Sequence, residues 1–231
     1  ERYVKEINKP FAVNIRANTI NMNILTALKK AGCYYVVMGV ESGVERVRNE
    51  IMKRHLSDEV MLSAAKMVHS VGLKLCTLNV IGLPTETDEE LRLNIEFMMQ
   101  LKKINPYVRG LTYLYFPLPF TSLNSYIENE MGLAMPCSLK DYEDASLDSG
   151  TEEGRKFRLW LSKERYDFLH SYCLVFDDAF QTNNISLSEQ SLKLLNNDPK
   201  LRQIFEGIEK VDRPKVFYRP YILDRVLNNE K

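Results

Sequence analysis

The 231-residue chain has no excess of charge in either direction: 31 Lys and Arg balance 31 Asp and Glu. This excludes a global pull toward nucleic acid or an acidic membrane, although a local patch can sit inside a neutral sum. No run of eighteen apolar residues occurs, so no membrane-spanning helix is expected. Cysteines are few. Cys33, Cys76, Cys137 and Cys173 form no C-x2–4-C pair, and no zinc knuckle or thiol redox motif can be read locally. Cys33 and Cys76 lie in apolar runs and read as small buried hydrophobes, which predicts a reduced, cytoplasmic location. The three histidines, His55, His69 and His170, have neither nucleophile nor metal spacing, and G-x-S-x-G, H-E-x-x-H, P-loop and G-x-G-x-x-G are all missing. The opening Glu1-Arg2-Tyr3-Val4-Lys5-Glu6 lacks both a Met and the apolar core of a signal peptide, so a piece of a longer protein is expected.

What is present is an ordinary globular balance, 45% hydrophobic and 27% charged. An extended run at Phe11–Arg16 precedes a helical pattern with Ile24, Leu25, Leu28 and Ala31 on one face, closed by Gly32. Tyr34–Gly39 is β-branched and aromatic with little polar alternation, as a strand buried on both faces would be. A helix follows with Val44, Val47 and Ile51 at i, i+3 and i+7. Ser57 caps another, with Asp58 and Glu59 in its first turn and Gly72 beyond its last. Leu73–Ile81 reads as a strand, Thr87–Glu90 as a capping box, and Leu111–Phe116 as a fourth strand stopped by Pro117 and Pro119. Strand and helix alternating every 30–40 residues predict parallel βαβ units. About four such units make half of a (β/α)8 barrel. The predicted fold is therefore α/β: a partial, TIM-type half-barrel over residues 1–135, then an all-α extension over 136–231. In that extension Phe157, Leu161, Phe168, Tyr172 and Phe176 form one helical stripe, with further helices near Leu187–Leu195, Leu201–Ile208 and Tyr221–Leu227. The extension reads as a packing appendage or as a lid; its residues carry no chemical motif.

In a parallel barrel, functional groups gather at the C-terminal ends of the strands. The four ends here are Asn14–Asn18, Gly39–Gly43, Ile81–Thr87 and Phe116–Thr121, and all offer polar or backbone groups to one rim. Glu41 and Ser42 supply acceptors suited to ligand hydroxyls, with Ser42 alternatively a helix cap. Gly82-Leu83-Pro84 offers backbone beside apolar surface, suited to a flat heterocycle, or is simply a strand-to-helix turn. Arg16 is suited to a carboxylate or phosphate, or to an ion pair with Glu41.

Taken together, Arg16-Ala17-Asn18, Ala31-Gly32-Cys33 with Gly39-Val40-Glu41-Ser42-Gly43, Gly82-Leu83-Pro84-Thr85-Glu86-Thr87, and Pro117-x-Pro119-x-Thr121 resemble the second half of a radical S-adenosylmethionine (radical SAM) enzyme core. The likeness spans Asn14–Thr121 and points to the branch with cobalamin-dependent and methylthiotransferase members. It implies two cofactors, S-adenosylmethionine and a 4Fe–4S cluster, with cobalamin a further option. The family cleaves S-adenosylmethionine reductively to a 5′-deoxyadenosyl radical. Carried onto this chain, Gly39, Glu41 and Ser42 would meet the ribose. The backbone of Ile81, Gly82, Leu83 and Pro84 would meet the adenine, and Arg54 the cofactor carboxylate. Arg54 stands one residue later than the family arginine, a shift of about 100° on a helix, which makes Lys53 its competitor. Arg16, Tyr113, Tyr115 and Pro117 would face the substrate.

The C-x3-C-x2-C cluster motif is absent from this sequence, as is the Gly-Gly-Glu-type turn, and Thr85 and Phe120 stand where the family usually has Gly, which predicts turns of different shape. The resemblance thus implies an inactive fragment, with no catalytic or metal-binding residue of its own, whose cluster ligands lie upstream in the missing N-terminal part. Its substrate, small or macromolecular, is not indicated. The alternatives are a non-catalytic half-barrel binding a nucleotide-like ligand or a partner, and a barrel completed by dimerisation. Open sheet edges predict some self-association in either case.

Overall fold

In the computed structural model, which describes residues 2–146, 155–181, 187–206 and 208, the first half of the chain is a wound sheet. A short helix, α1 (Arg2–Glu6), leads into β1 (Phe11–Ile15). A 3-10 turn at Ala17–Thr19 and α2 (Met22–Lys30) connect to β2 (Cys33–Glu41). A π-helical turn at Val47–Ile51 and α3 (Asp58–Ser70) connect to β3 (Lys74–Ile81). Then α4 (Asp88–Ile104) leads to β4 (Arg109–Leu114). Every pairing is parallel, and the spatial order β1-β2-β3-β4 is the chain order. A doubly wound sheet reverses its order at a switch point. This one does not, and it winds in one direction as half a (β/α)8 barrel does.

Local chemistry sets the helix limits. Asn21, Ser57 and Thr87 each accept a hydrogen bond from the backbone N–H three residues on, and Thr87 with Glu90 completes the capping box. Gly72, at φ +70, takes the chain out of α3. One face of the sheet is dry. Val36, Met38 and Val40 of β2 and Leu75 and Ile81 of β3 are fully buried, with Met61, Ala64, Ala65 and Val68 of α3 and Leu91, Ile95 and Met98 of α4 in the same core. The other face differs from the expectation of a strand buried on both sides. Val37, Gly39, Leu78, Val80 and Leu111 are only half-buried there, and Tyr113 is exposed, because among the described residues no layer covers that side.

Beyond β4 come α5 (Ser122–Asn129), α6 (Leu139–Ser146), the long α7 (Lys163–Gln181), α8 (Glu189–Asn197) and α9 (Pro199–Ile204). The helix near Tyr221–Leu227 expected from sequence lies outside the described residues. Phe157 and Leu161 precede α7 instead of sharing it, although both are buried. Tyr166, Leu169, Tyr172, Val175, Phe176, Ala179 and Phe180 of α7 join the core of the sheet itself. Gly110 makes room for this packing: a Cβ there would sit 2.9 Å from the Phe176 ring and 2.8 Å from Met98. The β4 edge is not left open. Asp177 of α7 accepts the Thr112 N–H at 2.8 Å, a donor with no strand beyond it among the described residues. At the opposite end, Arg165 of α7 and Lys200 of α9 both pair with Asp88 in the first turn of α4.

Candidate functional site

Glu41 closes β2 with a positive φ of +64, and the Ser42 N–H returns to the Val40 carbonyl at 2.8 Å. That three-residue turn is a strained conformation for a residue with a side chain. The Glu41 side chain is 14% exposed and accepts a hydrogen bond from the Arg54 guanidinium at 2.5 Å. Gly39 is required beneath it, since a Cβ there would stand 2.5 Å from the Glu41 Oε1. Burial pushes the Glu41 carboxyl above the usual range, against the opposing pull of Arg54 and Arg16. Arg16, exposed at the end of β1, donates to the Arg54 carbonyl at 3.1 Å and so reaches the same cluster without pairing directly with Glu41. Asn14, Ile15, Arg16, Val37, Gly39, Glu41, Arg54, Leu56 and Leu78 enclose an open cavity of about 260 Å³ on the uncovered face of the sheet.

Arg54 reaches this place for a reason that helical rotation does not describe. The helical turn ends at Ile51, and Lys53 and His55 both adopt φ +53 on either side of Arg54. Those two left-handed residues turn Arg54 toward Glu41, while Lys53 lines a separate cavity of about 310 Å³ with Pro84, Thr85 and Tyr126. Ser42 is turned inward, 1% exposed, and its hydroxyl accepts the Val44 N–H at 3.2 Å, which is the capping alternative. The next residue, Gly43, donates to Asn94 Oδ1 at 2.8 Å, and Asn94 in turn donates to the Tyr172 hydroxyl of α7 at 3.4 Å.

The end of β3 is arranged otherwise. Several of the polar backbone atoms that the resemblance assigns to adenine already have partners. The Ile81 carbonyl accepts from the Tyr115 N–H at 2.7 Å, and the Gly82 N–H donates to the Glu86 carboxylate at 2.6 Å. The Gly82 carbonyl accepts from the indole N–H of Trp160 at 2.8 Å. Leu83 is buried in a satellite cluster with Val47, Leu123 and Ile127, and Pro84 is buried as well. Arg158 completes the clamp by donating to the Tyr115 carbonyl at 2.8 Å. Burial raises the Glu86 carboxyl to about 8. Of the four substrate-side candidates, Arg16 and Tyr113 are exposed. Pro117 is buried, and the Tyr115 hydroxyl is enclosed and pushed up to about 12, so neither presents a polar group to the cavity. Thr121 caps α5 through its hydroxyl.

Thr85 and Phe120 keep φ values of +65 and +63. Both are left-handed backbone held without glycine, at a conformational cost. Trp160, Arg158 and Arg48, all missing from the sequence-based site, are structurally central to the rim. Arg48 alone left a readable sign, since it occupies the i+4 position of the stripe begun by Val44.

Residues 1–98 match the model of the radical SAM superfamily. The chain is 31% identical over 125 residues to an uncharacterised methyltransferase of Pyrococcus horikoshii, covering 52% of this chain and 25% of that protein. It is 26% identical over 150 residues to a provisionally named methylthiotransferase of Methanocaldococcus jannaschii, covering 65% of this chain and 30% of the other. A solved radical SAM methyltransferase of Kitasatospora setae, with cobalamin and a 4Fe–4S cluster bound, aligns over 54% of this chain and 24% of its own, at 18% identity and a TM-score of 0.45. The chain thus spans between a fifth and a third of the length of the curated relatives it matches.

The cofactors of that superfamily fit the matched segment unequally. Among the described residues no group of three or more His, Cys, Asp or Glu is placed to hold a metal, so they provide no cluster site. S-adenosylmethionine fits better: a partly buried carboxylate, a guanidinium and an open cavity meet at the end of β2. Among the described residues no helix is long and apolar enough to cross a membrane.

Proposed function

We propose that this chain is the part of a radical SAM enzyme that receives S-adenosylmethionine at the end of β2, with the cluster ligands outside the chain. Glu41 accepts hydrogen bonds from the ribose hydroxyls, and Arg54 supplies a planar cationic fork for the cofactor carboxylate. Arg16 lines the same cavity on the substrate side. The observation that carries this reading is the Glu41–Arg54 pair at 2.5 Å, presented by strained turns over an open cavity. Bound S-adenosylmethionine supplies an activated sulfonium, and this chain's contribution is to hold and orient it. On its own the chain does not turn over. In the Gly82 turn, whose polar atoms are occupied, the contribution is shape rather than hydrogen bonding.

The test is anaerobic iron–sulfur reconstitution of the gene product that contains this chain, with 5′-deoxyadenosine release from S-adenosylmethionine as the readout and the 231-residue chain as control. Release from the longer protein only, reduced roughly 10–100-fold in Glu41→Gln by loss of a charge-assisted hydrogen bond, is expected. A longer protein that binds iron and sulfur but releases nothing, or a Glu41→Gln variant as active as its parent, overturns the reading.

A further inference from the structure

The segment between Glu41 and Arg54 folds around a single side chain. The guanidinium side chain of Arg48 has 0% exposure. It donates from Nη1 to the Ser42 carbonyl at 2.6 Å, from Nε to the Leu56 carbonyl at 2.8 Å, and from Nη2 to the Asp58 carboxylate at 2.5 Å. It also lies 5.8 Å from the centroid of the Phe97 ring. Its own backbone carbonyl accepts the Arg54 N–H at 3.0 Å. The residue after Glu41, Arg54 itself, and the second residue after Arg54 are therefore all bonded to Arg48.

A buried charge is costly unless it is paired and its donors are used. Asp58 alone would satisfy the charge. The remaining donors go to two carbonyls that belong to two different loops, one presenting Glu41 and the other presenting Arg54. Only a rigid planar fork can span both at once; an ammonium is a single point of charge on a flexible stem. Asn49 reinforces the second loop, accepting the Leu56 N–H and donating to its carbonyl.

We infer that Arg48 is the positioning residue of the Glu41–Arg54 pair, holding the two loops in the register at which carboxylate and guanidinium meet. The coupling stands independently of the ligand; that it serves S-adenosylmethionine rests on the function proposed above. The charged groups facing Glu41 are Arg54 from the loop and Arg16 from the end of β1. Its neighbour on β3, Asn79, does not titrate, and α4 presents Asn94 and Phe97 to this turn.

The experiment is a carboxyl-carbon NMR titration of Glu41 in the 231-residue chain and in Arg48→Lys, with Glu41→Gln to assign the resonance. Burial pushes Glu41 up and Arg54 pulls it down, so freeing the Arg54 loop raises the Glu41 midpoint in Arg48→Lys. Asp58→Asn, which keeps both carbonyl bonds, lowers thermal stability and leaves that midpoint in place. A Glu41 midpoint equal in Arg48→Lys and the parent overturns the inference, as does an equal rise in Asp58→Asn. If Arg48→Lys does not fold, the parent chain decides. Protonating Glu41 shifts the Arg54 amide and Arg48 guanidinium resonances together if Arg48 couples the loops, and leaves Arg48 unmoved if it does not. Equilibrium dialysis with S-adenosylmethionine forms the second arm, in which Arg48→Lys binds about tenfold more weakly. A shifted Glu41 midpoint with no S-adenosylmethionine binding to either chain supports the positioning role and rejects the ligand.

Discussion

The ends of β2 and β3 are neighbouring rims of one sheet, yet they leave opposite things open. At β2 the backbone is closed into a tight turn and the side chains of Glu41 and Arg54 face a cavity. At β3 the backbone groups of Ile81 and Gly82 are consumed by Tyr115, Glu86 and Trp160. The difference lies in what packs against each. Trp160 and Arg158 arrive from the C-terminal region and clamp β3 and β4, whereas the hydrogen-bonded link from that region to the β2 end runs, among the described residues, through Tyr172 and Asn94 to Gly43. The proposed ligand chemistry belongs to the first rim, and the clamp from the C-terminal region holds the second.

Two glycine substitutions sharpen this contrast most. In Gly39→Ala the new Cβ meets only the mobile end of Glu41, so the carboxylate moves and the fold does not. S-adenosylmethionine affinity falls about tenfold or more while Tm is held, measured by dialysis and calorimetry on the same sample. Gly82→Ala does the reverse. Its φ of +75 and the 3.2 Å approach of Leu114 and Leu169 cost about 2 kcal/mol, lowering Tm by roughly 4–8 °C. If Gly82→Ala instead abolishes binding at unchanged Tm, the two rims have been assigned the wrong way round.

Glu86 supplies a pH handle on the β3 rim. Its carboxyl is raised from 4.5 to about 8, so its stabilising contribution is complete below 4.5 and is lost as the pH rises through 8. The parent chain should lose Tm between pH 5 and pH 9 relative to Glu86→Gln, which lacks that titration. Parallel Tm profiles for the two proteins would show that Glu86 is not held in a buried state. The smallest effect is at Thr85. Relief of its left-handed strain in Thr85→Gly, partly offset by glycine's entropy, raises stability by up to ~1 kcal/mol. Urea midpoints read that change.

Much of the sheet was legible because its signals are local. The caps at Ser57 and Thr87, the exits at Gly32 and Gly72 and the four apolar strands each depend on residues within a few positions. The same local reading placed Glu41 and Arg54 at the rim, although rotation on a helix was the wrong geometry for Arg54, since the chain leaves the helix at Ile51. The partners of Gly82 were not legible. Trp160 and Arg158 stand 78 and 43 positions from the backbone they hold, and no periodic pattern encodes such a meeting. For the same reason α7 read as an appendage, while its Tyr172, Phe176 and Phe180 complete the core and its Asp177 closes the edge of β4.

Trp160 is the only tryptophan in the chain, so one indole N–H resonance reports the β3 rim and one Glu41 carboxyl resonance reports the β2 rim. Titrating the 231-residue chain with S-adenosylmethionine while following both tests the division of labour directly. A saturable shift of Glu41 with the Trp160 indole unmoved is the predicted result. Displacement of the Trp160 indole with Glu41 unchanged would contradict it, placing the ligand on the Gly82 backbone instead.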